Sequence, residues 1–442
     1  MTASISPELV ALSGQPVPRY TSYPTAPHFS ADITAADYGE WLRAAGVTGK
    51  PVSLYLHIPF CRTICTYCGC TTKAALRDDP IRAYAATVHD EIALVARHLG
   101  PAPLSHIHWG GGTPNILPPD CFTGLVEDLA RRFRFQAGME HAIELDPRHV
   151  TPEGARHLAR LGINRASLGV QTLDPAVQAA IARIQPLERI EAAFAALRAA
   201  GITAINADLM FGLPRQTLDS IRGTVAALVR LRPQRIAVFG YAHVPWMKPH
   251  QRLIRNEDLP DAARRLAQAQ LARDLLLQAG YCAVGIDHFA LPDDELTLAA
   301  NAGTLRRNFQ GYTTDKAESL IGIGASSISR TPHGYAQNAP DNHGWRRAVE
   351  EGCLPVVRGH RLLPDDVARG RVIEDILCRF KAELPQPDMA VPPQLAALVE
   401  QGWVRVAAGR VEIHDHAPEI ARIVASAFDA YLPSGGRHSA AV

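Results

Sequence analysis

Four of the chain's eight cysteines lie within ten consecutive residues, at the end of the segment LYLHIPFCRTICTYCGC. Cys61, Cys65 and Cys68 have the spacing C-x3-C-x2-C, and Cys70 follows after one glycine. The other four cysteines are isolated along the chain. Thiolates act as nucleophiles and bind metals or iron–sulfur clusters, so this crowding indicates catalysis or metal binding.

Four interpretations of this cysteine cluster are open. A structural zinc site usually combines two separated cysteine pairs, or pairs with histidines, and the second pair is missing here. Four unrelated core cysteines are disfavoured by their close spacing. The third interpretation is an iron–sulfur cluster with Cys70 as the fourth thiolate. The spacing favours the last, a [4Fe–4S] cluster bound by Cys61, Cys65 and Cys68 alone, which leaves one iron open to a small molecule.

Composition disfavours several other classes of protein. The 45 basic residues (Lys and Arg) almost balance the 44 acidic ones (Asp and Glu), whereas a nucleic-acid binder usually carries a one-sided basic charge. No apolar run approaches the roughly 18 residues of a membrane-spanning helix. The first residues lack the basic lead and apolar core of a signal peptide. We therefore expect a cytoplasmic protein with reduced thiols, no membrane span and no nucleic-acid partner.

Short β-rich segments recur from residue 51 at intervals of about 25 to 40 residues, with helical patterns between them. The segments are PVSLYLHIPF, SHIHWGGG, EHAIELDP, RASLGVQ, TAINADLMFGL and RIAVFGY. Their period is that of a βα unit, so they predict a parallel sheet covered by helices. Periodicity alone leaves open a complete barrel, a partial barrel and a doubly wound sheet.

The chain divides into four predicted parts. Residues 1–50 are expected to be an extended arm rather than a packed element, because PVPRYTSYPTAPHFS is rich in Pro, Tyr and Ser. Residues 51–290 contain the βα units, and residues 291–361 form a connecting segment that closes over the active site. Residues 362–442 are mainly helical and include WVRVAAGRVEIH, a predicted hairpin, which is typical of a winged-helix-like domain.

Chemically distinctive residues end successive predicted strands. Residues 110–113 (GGGT) end the second, Glu144 the third and Gln171 the fourth; Asp208 lies in the fifth, and residues 241–243 follow the sixth. The cysteine loop follows the first. Because the carboxyl ends of parallel strands meet at one face, where such proteins carry their active sites, we expect these residues to converge.

The motifs HWGGGTP and IELDPR, together with the cysteine spacing, resemble the radical S-adenosylmethionine (SAM) superfamily. PRYTSYPTA, LHIPFC, YCGC, SLGVQ, DLMFGLP, YAHVP, DHFA, RNFQGYTT and YAQN, in this order, resemble the oxygen-independent coproporphyrinogen III oxidase family. The resemblance covers about residues 17–340 and, more weakly, the rest. It implies an α/β fold, a partial (β/α)6 TIM-like barrel of radical SAM type with an N-terminal arm and a mainly helical, winged-helix-like C-terminal domain.

The resemblance also implies an activity. The family's enzymes convert two propionates of coproporphyrinogen III to vinyl groups by oxidative decarboxylation, giving protoporphyrinogen IX for haem and porphyrin biosynthesis. The implied cofactors are a [4Fe–4S] cluster and two molecules of SAM, whose cleavage yields a 5′-deoxyadenosyl radical. An electron donor and an electron acceptor are implied partners, and the chain is expected to be a monomer.

Cys61, Cys65 and Cys68 match the family's cluster ligands, and the fourth iron would bind the amino and carboxylate groups of SAM. The positions that match the family's SAM contacts are Tyr55, Tyr67, Gly111, Gly112, Thr113, Glu144, Gln171, Arg183, Asp208, Ala242 and Ile328. Arg183 lies in a predicted helix, where a solvated face is the usual position for arginine. The family pattern has Asn before this arginine, whereas this chain has Ala182.

Cys70, His57 and Gln310 are the candidate catalytic residues. A fourth thiolate would block SAM, so Cys70 is expected in a redox, proton-donating or substrate-proximal role, an inert thiol being the alternative. His57 is alternatively a core histidine, and Gln310 is expected to line the substrate side. Propionates require cationic partners, for which the candidates are Arg19, Lys73, Arg215, Arg307 and Arg330.

Two related functions are alternatives to the oxidase. One is a haem-binding protein resembling the haem chaperone, and the other is a radical SAM methyltransferase that modifies haem. The YCGC ending and the RYTSYPTA arm favour the oxidase over the chaperone-like protein, whereas analysis of the anaerobic product by mass would distinguish the methyltransferase.

Overall fold

The structure is a computed structural model, which describes residues 6–385, 392–432 and 441–442. Its strands are β1 (Val52–Ile58), β2 (Phe60–Cys61), β3 (Lys73–Ala74), β4 (Pro103–Gly111), β5 (Arg134–Leu145), β6 (Arg165–Gln171), β7 (Ala204–Phe211), β8 (Arg235–Gly240), β9 (Cys282–Val284), β10 (His288–Ala290), β11 (Arg306–Asn308), β12 (Gly311–Thr313), β13 (Leu320–Ile323), β14 (Ile328–Thr331), β15 (Gly334–Asn338), β16 (Val356–Arg361), β17 (Lys381–Glu383), β18 (Val404–Ala407) and β19 (Arg410–Ile413). Its helices are α1 (Pro7–Ser13), α2 (Ala35–Val47), α3 (Asp79–Leu99), α4 (Pro119–Arg132), α5 (Pro152–Arg160), α6 (Pro175–Ala180), α7 (Leu187–Ala199), α8 (Leu218–Leu231), α9 (Ala262–Gln278), α10 (Glu295–Asn301), α11 (Asn342–Glu350), α12 (Pro364–Arg379), α13 (Ala396–Glu400) and α14 (Ala417–Ser426).

Twelve of the described strands form one sheet, in the order β16-β15-β14-β13-β1-β4-β5-β6-β7-β8-β10-β9. From β1 to β8 the strands pair in parallel, and their spatial order follows the chain. In a doubly wound sheet the order of the strands reverses at the middle of the sheet. No such reversal occurs between β1 and β8, so the βα units form a barrel-type array. β1 pairs with β13 and β8 with β10, so the barrel is partial.

The two faces of this sheet differ in polarity because side chains alternate along each strand. In β7, Ile205, Ala207 and Leu209 are fully buried on the helix side. Asn206 and Asp208 alternate with them and point to the inner side of the barrel. The pairing of Asp208 with Gly169 and of Glu144 with Ser167 sets neighbouring strands in register, so their polar positions meet on the inner face.

The predicted connecting segment 291–361 divides into two parts in the structure. Its second half, β13 to β16, extends the main sheet beyond β1. Its first half contains the separate hairpin of β11 and β12. The borders between the four predicted parts of the chain, at residues 50, 290 and 361, stay a proposal.

The prediction that the N-terminal arm is not packed is wrong. Tyr20 and Tyr23 are buried, since their aromatic rings fill a second core formed with the C-terminal residues. The Tyr20 hydroxyl donates to Asp429 at 2.9 Å, and the Ala430 N–H donates to the Tyr23 hydroxyl at 2.9 Å. The arm therefore joins the barrel to the C-terminal part of the chain.

The C-terminal part has the elements of a winged-helix-like unit. Helices α12, α13 and α14 pack with a small sheet in the order β17-β19-β18. The predicted hairpin is confirmed: Ala408 and Gly409, with φ of 51° and 72°, connect β18 to β19. Both central residues have the positive φ of the turn type that matches strand twist. Among the described residues, no helix is long and apolar enough to span a membrane.

A buried carboxylate joins helix α3 to the sheet extension. Glu91 accepts hydrogen bonds from the Gly324 N–H (2.7 Å), the Asn338 side-chain amide (2.6 Å) and the Trp345 indole (2.9 Å). Burial raises its pKa to about 7. One acidic side chain therefore satisfies donors from three different segments.

Replacing Glu91 by alanine tests this connection. The substitution leaves the buried Gly324 and Trp345 N–H groups without an acceptor, while the Asn338 amide keeps the Gly324 carbonyl and the Ser327 hydroxyl, so we expect E91A to lower the free energy of unfolding by about 3 kcal/mol. Urea denaturation followed by circular dichroism measures this change. Asp90→Ala, at the exposed neighbouring position on α3, is the matched control and should change stability little. Equal effects of the two substitutions would contradict the assignment.

Candidate active site

A cavity of about 520 Å³ opens at the carboxyl ends of the parallel strands; we name it the thiol cavity. Thirteen of the predicted site residues line it: Cys61, Cys65, Tyr67, Cys68, Cys70, Gly111, Gly112, Thr113, Glu144, Gln171, Arg183, Asp208 and Ala242. The structure therefore brings together residues from six strands, as their positions at the strand ends predict.

The cysteine loop is tied to the barrel by its backbone. β2 and β3 pair in parallel and close the loop at its two ends. Its carbonyl groups accept hydrogen bonds from the segment that follows β8: Lys248 Nζ donates to Cys70 O (2.9 Å), His250 Nε2 lies 2.7 Å from Cys68 O, and Gln251 Nε2 donates to Tyr67 O (2.9 Å). The sequence analysis missed these residues, since no motif distinguishes polar residues that bind a distant backbone.

Hydrogen-bond donors surround the cysteine sulfurs. The Thr113 hydroxyl lies 3.2 Å from Cys61 Sγ, and the Thr72 hydroxyl lies 3.5 Å from the same sulfur. Arg183 donates to Cys65 Sγ at 3.6 Å. Burial raises the pKa of Cys61, and the two threonine hydroxyls oppose that rise. Donors beside the sulfurs are compatible with the thiolates that bind iron–sulfur clusters, so these thiols fit such a group.

All eight cysteines lie in the described part of the chain, and all are free. Among the described residues, no three His, Cys, Asp or Glu side chains are grouped closely enough to hold a single metal ion. Ligation of a cluster by Cys61, Cys65 and Cys68 stays a prediction.

The glycines at the end of β4 are required by close packing. A Cβ at Gly110 would lie 2.8 Å from Glu144 Oε1, and a Cβ at Gly112 would lie 2.5 Å from Phe60 O. Gly111 has a φ of 109° and faces the ring of His57, which a Cβ would approach to 2.6 Å. The run thus allows β4 to pass directly over β1 and the start of the cysteine loop while still lining the cavity.

His57 occupies the position of a core histidine, the alternative to its predicted catalytic role. Its ring is buried behind Gly111 and does not line the thiol cavity. Nδ1 lies 3.0 Å from the Tyr55 hydroxyl, and Nε2 lies 3.0 Å from the Thr71 carbonyl. Burial lowers its pKa, which favours the neutral ring. Its contacts position the cysteine loop from behind, so the structure does not support a catalytic role.

Two carboxylates face the cavity from β5 and β7, the two strands that flank β6. Burial favours the neutral form of Glu144, but His108 Nε2 at 3.1 Å and the Gly111 N–H at 3.2 Å outweigh it and lower its pKa. Asp208 is bonded only to neutral groups, the hydroxyl of Ser167 and the amide of Asn206. Burial, followed by the charge of Glu144, raises its pKa to about 7. Such a pair suits a cation or a ribose diol.

Arg183 is buried in a salt bridge, which excludes the alternative explanation, a solvated helix face; its predicted contact with SAM stays a prediction. It follows α6 and donates to the Gly169 carbonyl at 2.8 Å and to Asp146 at 3.3 Å. Burial opposes the ionisation of Asp146, yet hydrogen bonds from Arg148 and the charge of Arg183 lower its pKa to about 2. Asp146 lies in the IELDPR motif, but it was not among the predicted site residues.

Besides His57, three predicted residues lie outside the lining of the thiol cavity. Tyr55 contacts His57 and stacks on His108 with ring centroids 5.9 Å apart. Ile328 lies in β14, on the sheet extension. Gln310 lines an adjacent cavity of about 250 Å³.

The candidate propionate partners are dispersed. Arg19 lines both the thiol cavity and the adjacent cavity, where Arg307 lies as well. Arg330 lines a third cavity. Arg215 is half exposed and pairs with Asp258 at 3.3 Å, and Lys73 is exposed on β3. Of the five candidates, Arg19 and Arg307 therefore lie near the site.

The fold and the thiol cavity agree with the comparisons to known proteins. Residues 55–228 match the model of the radical SAM superfamily. The solved coproporphyrinogen III oxidase from Escherichia coli, described as a radical SAM enzyme, is 36% identical with a TM-score of 0.89, covering 95% of this chain and 100% of that one. The expected α/β fold of radical SAM type is thereby confirmed.

Full-length relatives define the family more narrowly. The oxygen-independent coproporphyrinogen III oxidase of Bradyrhizobium diazoefficiens is 44% identical over 98% of this chain and 99% of its own length. That of Pseudomonas aeruginosa is 39% identical over 95% of this chain and 94% of its own length. The chain belongs to the oxygen-independent coproporphyrinogen III oxidase family, as its motifs predicted.

The departure from the family pattern at Ala182 has a conformational cost that can be measured. Ala182 is exposed and has a φ of 52°, a left-handed conformation that Asn tolerates better than Ala. We expect Ala182→Asn to raise the free energy of unfolding by about 0.5 to 1 kcal/mol, measured by urea denaturation. Ala179→Asn, exposed within α6, is the control and should lower it by about 0.5 kcal/mol. A destabilising A182N would contradict this explanation.

Proposed function

We propose that the protein decarboxylates two propionates of coproporphyrinogen III oxidatively to vinyl groups, without oxygen, in porphyrin and haem biosynthesis. The observation that carries this proposal is the thiol cavity, in which Cys61, Cys65 and Cys68 face Glu144 and Asp208 across the carboxyl ends of the barrel strands. The full-length relatives that bear the oxidase name support the choice of substrate.

A [4Fe–4S] cluster and SAM are the cofactors of the superfamily; bound together, they supply a carbon radical that removes hydrogen from an unactivated carbon. We propose Cys61, Cys65 and Cys68 as the three ligands of the cluster. Two bound molecules of SAM are also proposed, on the basis of the family resemblance. Nine of the eleven proposed SAM contacts line the thiol cavity; Tyr55 and Ile328 do not.

The chain's own residues would bind and orient these groups. The Thr113 hydroxyl lies 3.2 Å from Cys61 Sγ and Arg183 donates to Cys65 Sγ, so both would stabilise cluster-bound thiolates. Glu144, which is ionised at neutral pH, complements the positive charge of SAM, and Asp208 offers a second acceptor. Cys70 lines the cavity beside the proposed ligands, in agreement with its proposed redox, proton-donating or substrate-proximal role.

The reaction balances at each propionate. Loss of a hydrogen atom from the β-carbon leaves a radical; cleavage of the bond to the carboxylate then releases carbon dioxide and forms the vinyl double bond. One electron is left over and must pass to an acceptor. The protein therefore needs an electron donor for the cofactor and an acceptor for the substrate electron, both still unidentified. The monomeric state and the cytoplasmic location stay predictions.

The proposed activity is tested by anaerobic incubation of the reconstituted enzyme with dithionite, SAM and coproporphyrinogen III. Mass spectrometry should show the loss of two carbon dioxide molecules and four hydrogen atoms from the porphyrinogen, and the appearance of 5′-deoxyadenosine. Cys65→Ala should abolish cluster absorbance and SAM cleavage, whereas the control Cys353→Ala, at an exposed isolated cysteine, should keep both. Haem binding without vinyl formation would favour the chaperone-like alternative, and a methylated haem product would favour the methyltransferase.

The raised pKa of Asp208 predicts a pH dependence of SAM binding. Because SAM is cationic, it favours the ionised carboxylate, which forms as the pH rises through about 7. From pH 6 to pH 8 the Kd for SAM should fall about 10-fold, as the ionised fraction rises. Anaerobic equilibrium dialysis with the reconstituted enzyme measures the Kd. Asp208→Asn should bind SAM weakly at both pH values, while Asp274→Asn, exposed on α9, should follow the wild type. A wild-type Kd independent of pH would refute this role.

A further inference from the structure

The cavity adjacent to the thiol cavity concentrates positive charge; we name it the arginine cavity. Its volume is about 250 Å³. Among the described residues that line it, five are arginines: Arg19, Arg265, Arg273, Arg307 and Arg422. Asp287 and Glu419 are the acidic residues in this lining. Because arginines outnumber acidic residues in this partly enclosed space, the cavity favours an anionic ligand.

Several buried donors in this lining lack an acceptor. Nε of Arg265, Nε and Nη1 of Arg307 and Nε2 of Gln310 have no hydrogen-bond partner among the described residues. Arg265 does donate through Nη2 to the backbone oxygen of Val442 at 3.0 Å, and Nε is its buried donor without a partner. Unpaired buried donors are costly, and a ligand oxygen placed between them would remove that cost.

Aromatic rings hold two of these guanidinium groups. The Arg307 guanidinium carbon lies 4.6 Å from the ring centroid of Tyr312, and that of Arg265 lies 5.7 Å from that of Phe211. Stacking on a ring restricts a planar guanidinium and leaves its N–H edges available for a carboxylate. The two arginines are thus arranged before any ligand arrives.

The acidic residues offset the arginines only in part, because two carboxylates face five guanidinium groups, and Asp287 interacts with the charges of both Arg19 and Arg307. Asp287 accepts a hydrogen bond from His288 Nδ1 at 2.7 Å, and Glu419 accepts one from Gln270 at 3.2 Å. Burial, followed by the charge of Arg19, lowers the pKa of Arg265 to about 10. The cations in this space therefore repel one another, and an anionic ligand would relieve that repulsion.

The arginine cavity adjoins the thiol cavity. Arg19, Phe239, Gly240 and Tyr241 line both cavities. Arg19 is anchored there by a hydrogen bond from Nη2 to the Gly240 carbonyl at 2.9 Å. A single large ligand with several carboxylates can therefore extend from one cavity into the other along the aromatic wall.

We propose that the arginine cavity binds a carboxylate side chain of the tetrapyrrole that is not reacting, through Arg265, Arg307 and Gln310. This inference rests on the proposed function. The substrate has four propionates and the product keeps two, so an anchor away from the thiols can hold the molecule throughout both decarboxylations. Held there, the tetrapyrrole directs another propionate into the thiol cavity.

Binding of coproporphyrin III tests the anchor without turnover. This oxidised tetrapyrrole keeps the four propionates, and its fluorescence reports binding to the reconstituted enzyme in the absence of reductant. We expect Arg265→Gln and Arg307→Gln each to raise the Kd about 10-fold or more, since each removes a charge-assisted, bidentate partner. Arg264→Gln, next to Arg265 on α9 but 78% exposed, is the matched control and should bind as the wild type does.

Arg265 packs closely against the backbone at Gly212, so folding must be checked separately. Cluster absorbance and SAM cleavage without substrate should remain in both variants, since neither residue lines the thiol cavity. Arg265→Lys and Arg307→Lys are milder substitutions. They keep the positive charge but lose the paired N–H donors of the guanidinium, so they should weaken binding less than the Gln substitutions do. The tetramethyl ester of coproporphyrin III should bind wild type and both Gln variants equally weakly.

Two results would overturn the anchor: wild-type affinity for coproporphyrin III in both Gln variants, or an ester that binds the wild type as tightly as the acid does. The outcome is independent of the activity assay. If turnover fails but the arginine variants still lose carboxylate binding, the proposed function is wrong and the anionic site stands. If turnover succeeds but the variants bind normally, the proposed function stands and the anchor is wrong.

Discussion

The parallel register of β1 and β4 to β8 is the constraint on which the rest of the structure depends. Parallel pairing sends the carboxyl end of every strand to one rim, so residues as far apart in the chain as Cys61 and Ala242 meet there. Glu144 and Asp208 face one another because their strands flank β6 in register. A shift of one residue would turn both carboxylates toward the helices, where the side chains are apolar. Backbone hydrogen bonding thus determines the chemistry of the cavity.

Charge is balanced differently in the two cavities. In the thiol cavity, Arg183 is paired with Asp146, and Glu144 is held by His108, so the positions of both charges are defined in the protein alone. In the arginine cavity, Arg265 and Arg307 keep donors without acceptors. A cavity lining in which the charges are already paired suits a cofactor that must be held in one geometry. A wall with excess positive charge suits a substrate that brings its own carboxylates.

The N-terminal arm contributes to both the fold and the site. Tyr20 and Tyr23 enter the core formed with the C-terminal residues, whereas Arg19 next to them lines both cavities. A stretch rich in Pro, Tyr and Ser has the composition of an unpacked segment. It is ordered here because two distant parts of the chain supply the apolar surfaces and the Asp429 carboxylate that bind its tyrosines. Local composition could not reveal those partners.

What the sequence determined by itself was local and periodic: the βα units, the hairpin at residues 408–409, the crowding of Cys61 to Cys70 and, through its motifs, the family. Each of these depends on neighbours within a few residues or on a repeated spacing. Tertiary structure alone decided that Arg183 is buried against Asp146, that His57 packs behind Gly111 and that Arg265 joins Arg307 around one cavity. The energies of buried charges and close contacts depend on which distant groups surround them, and that is known only once the chain is folded.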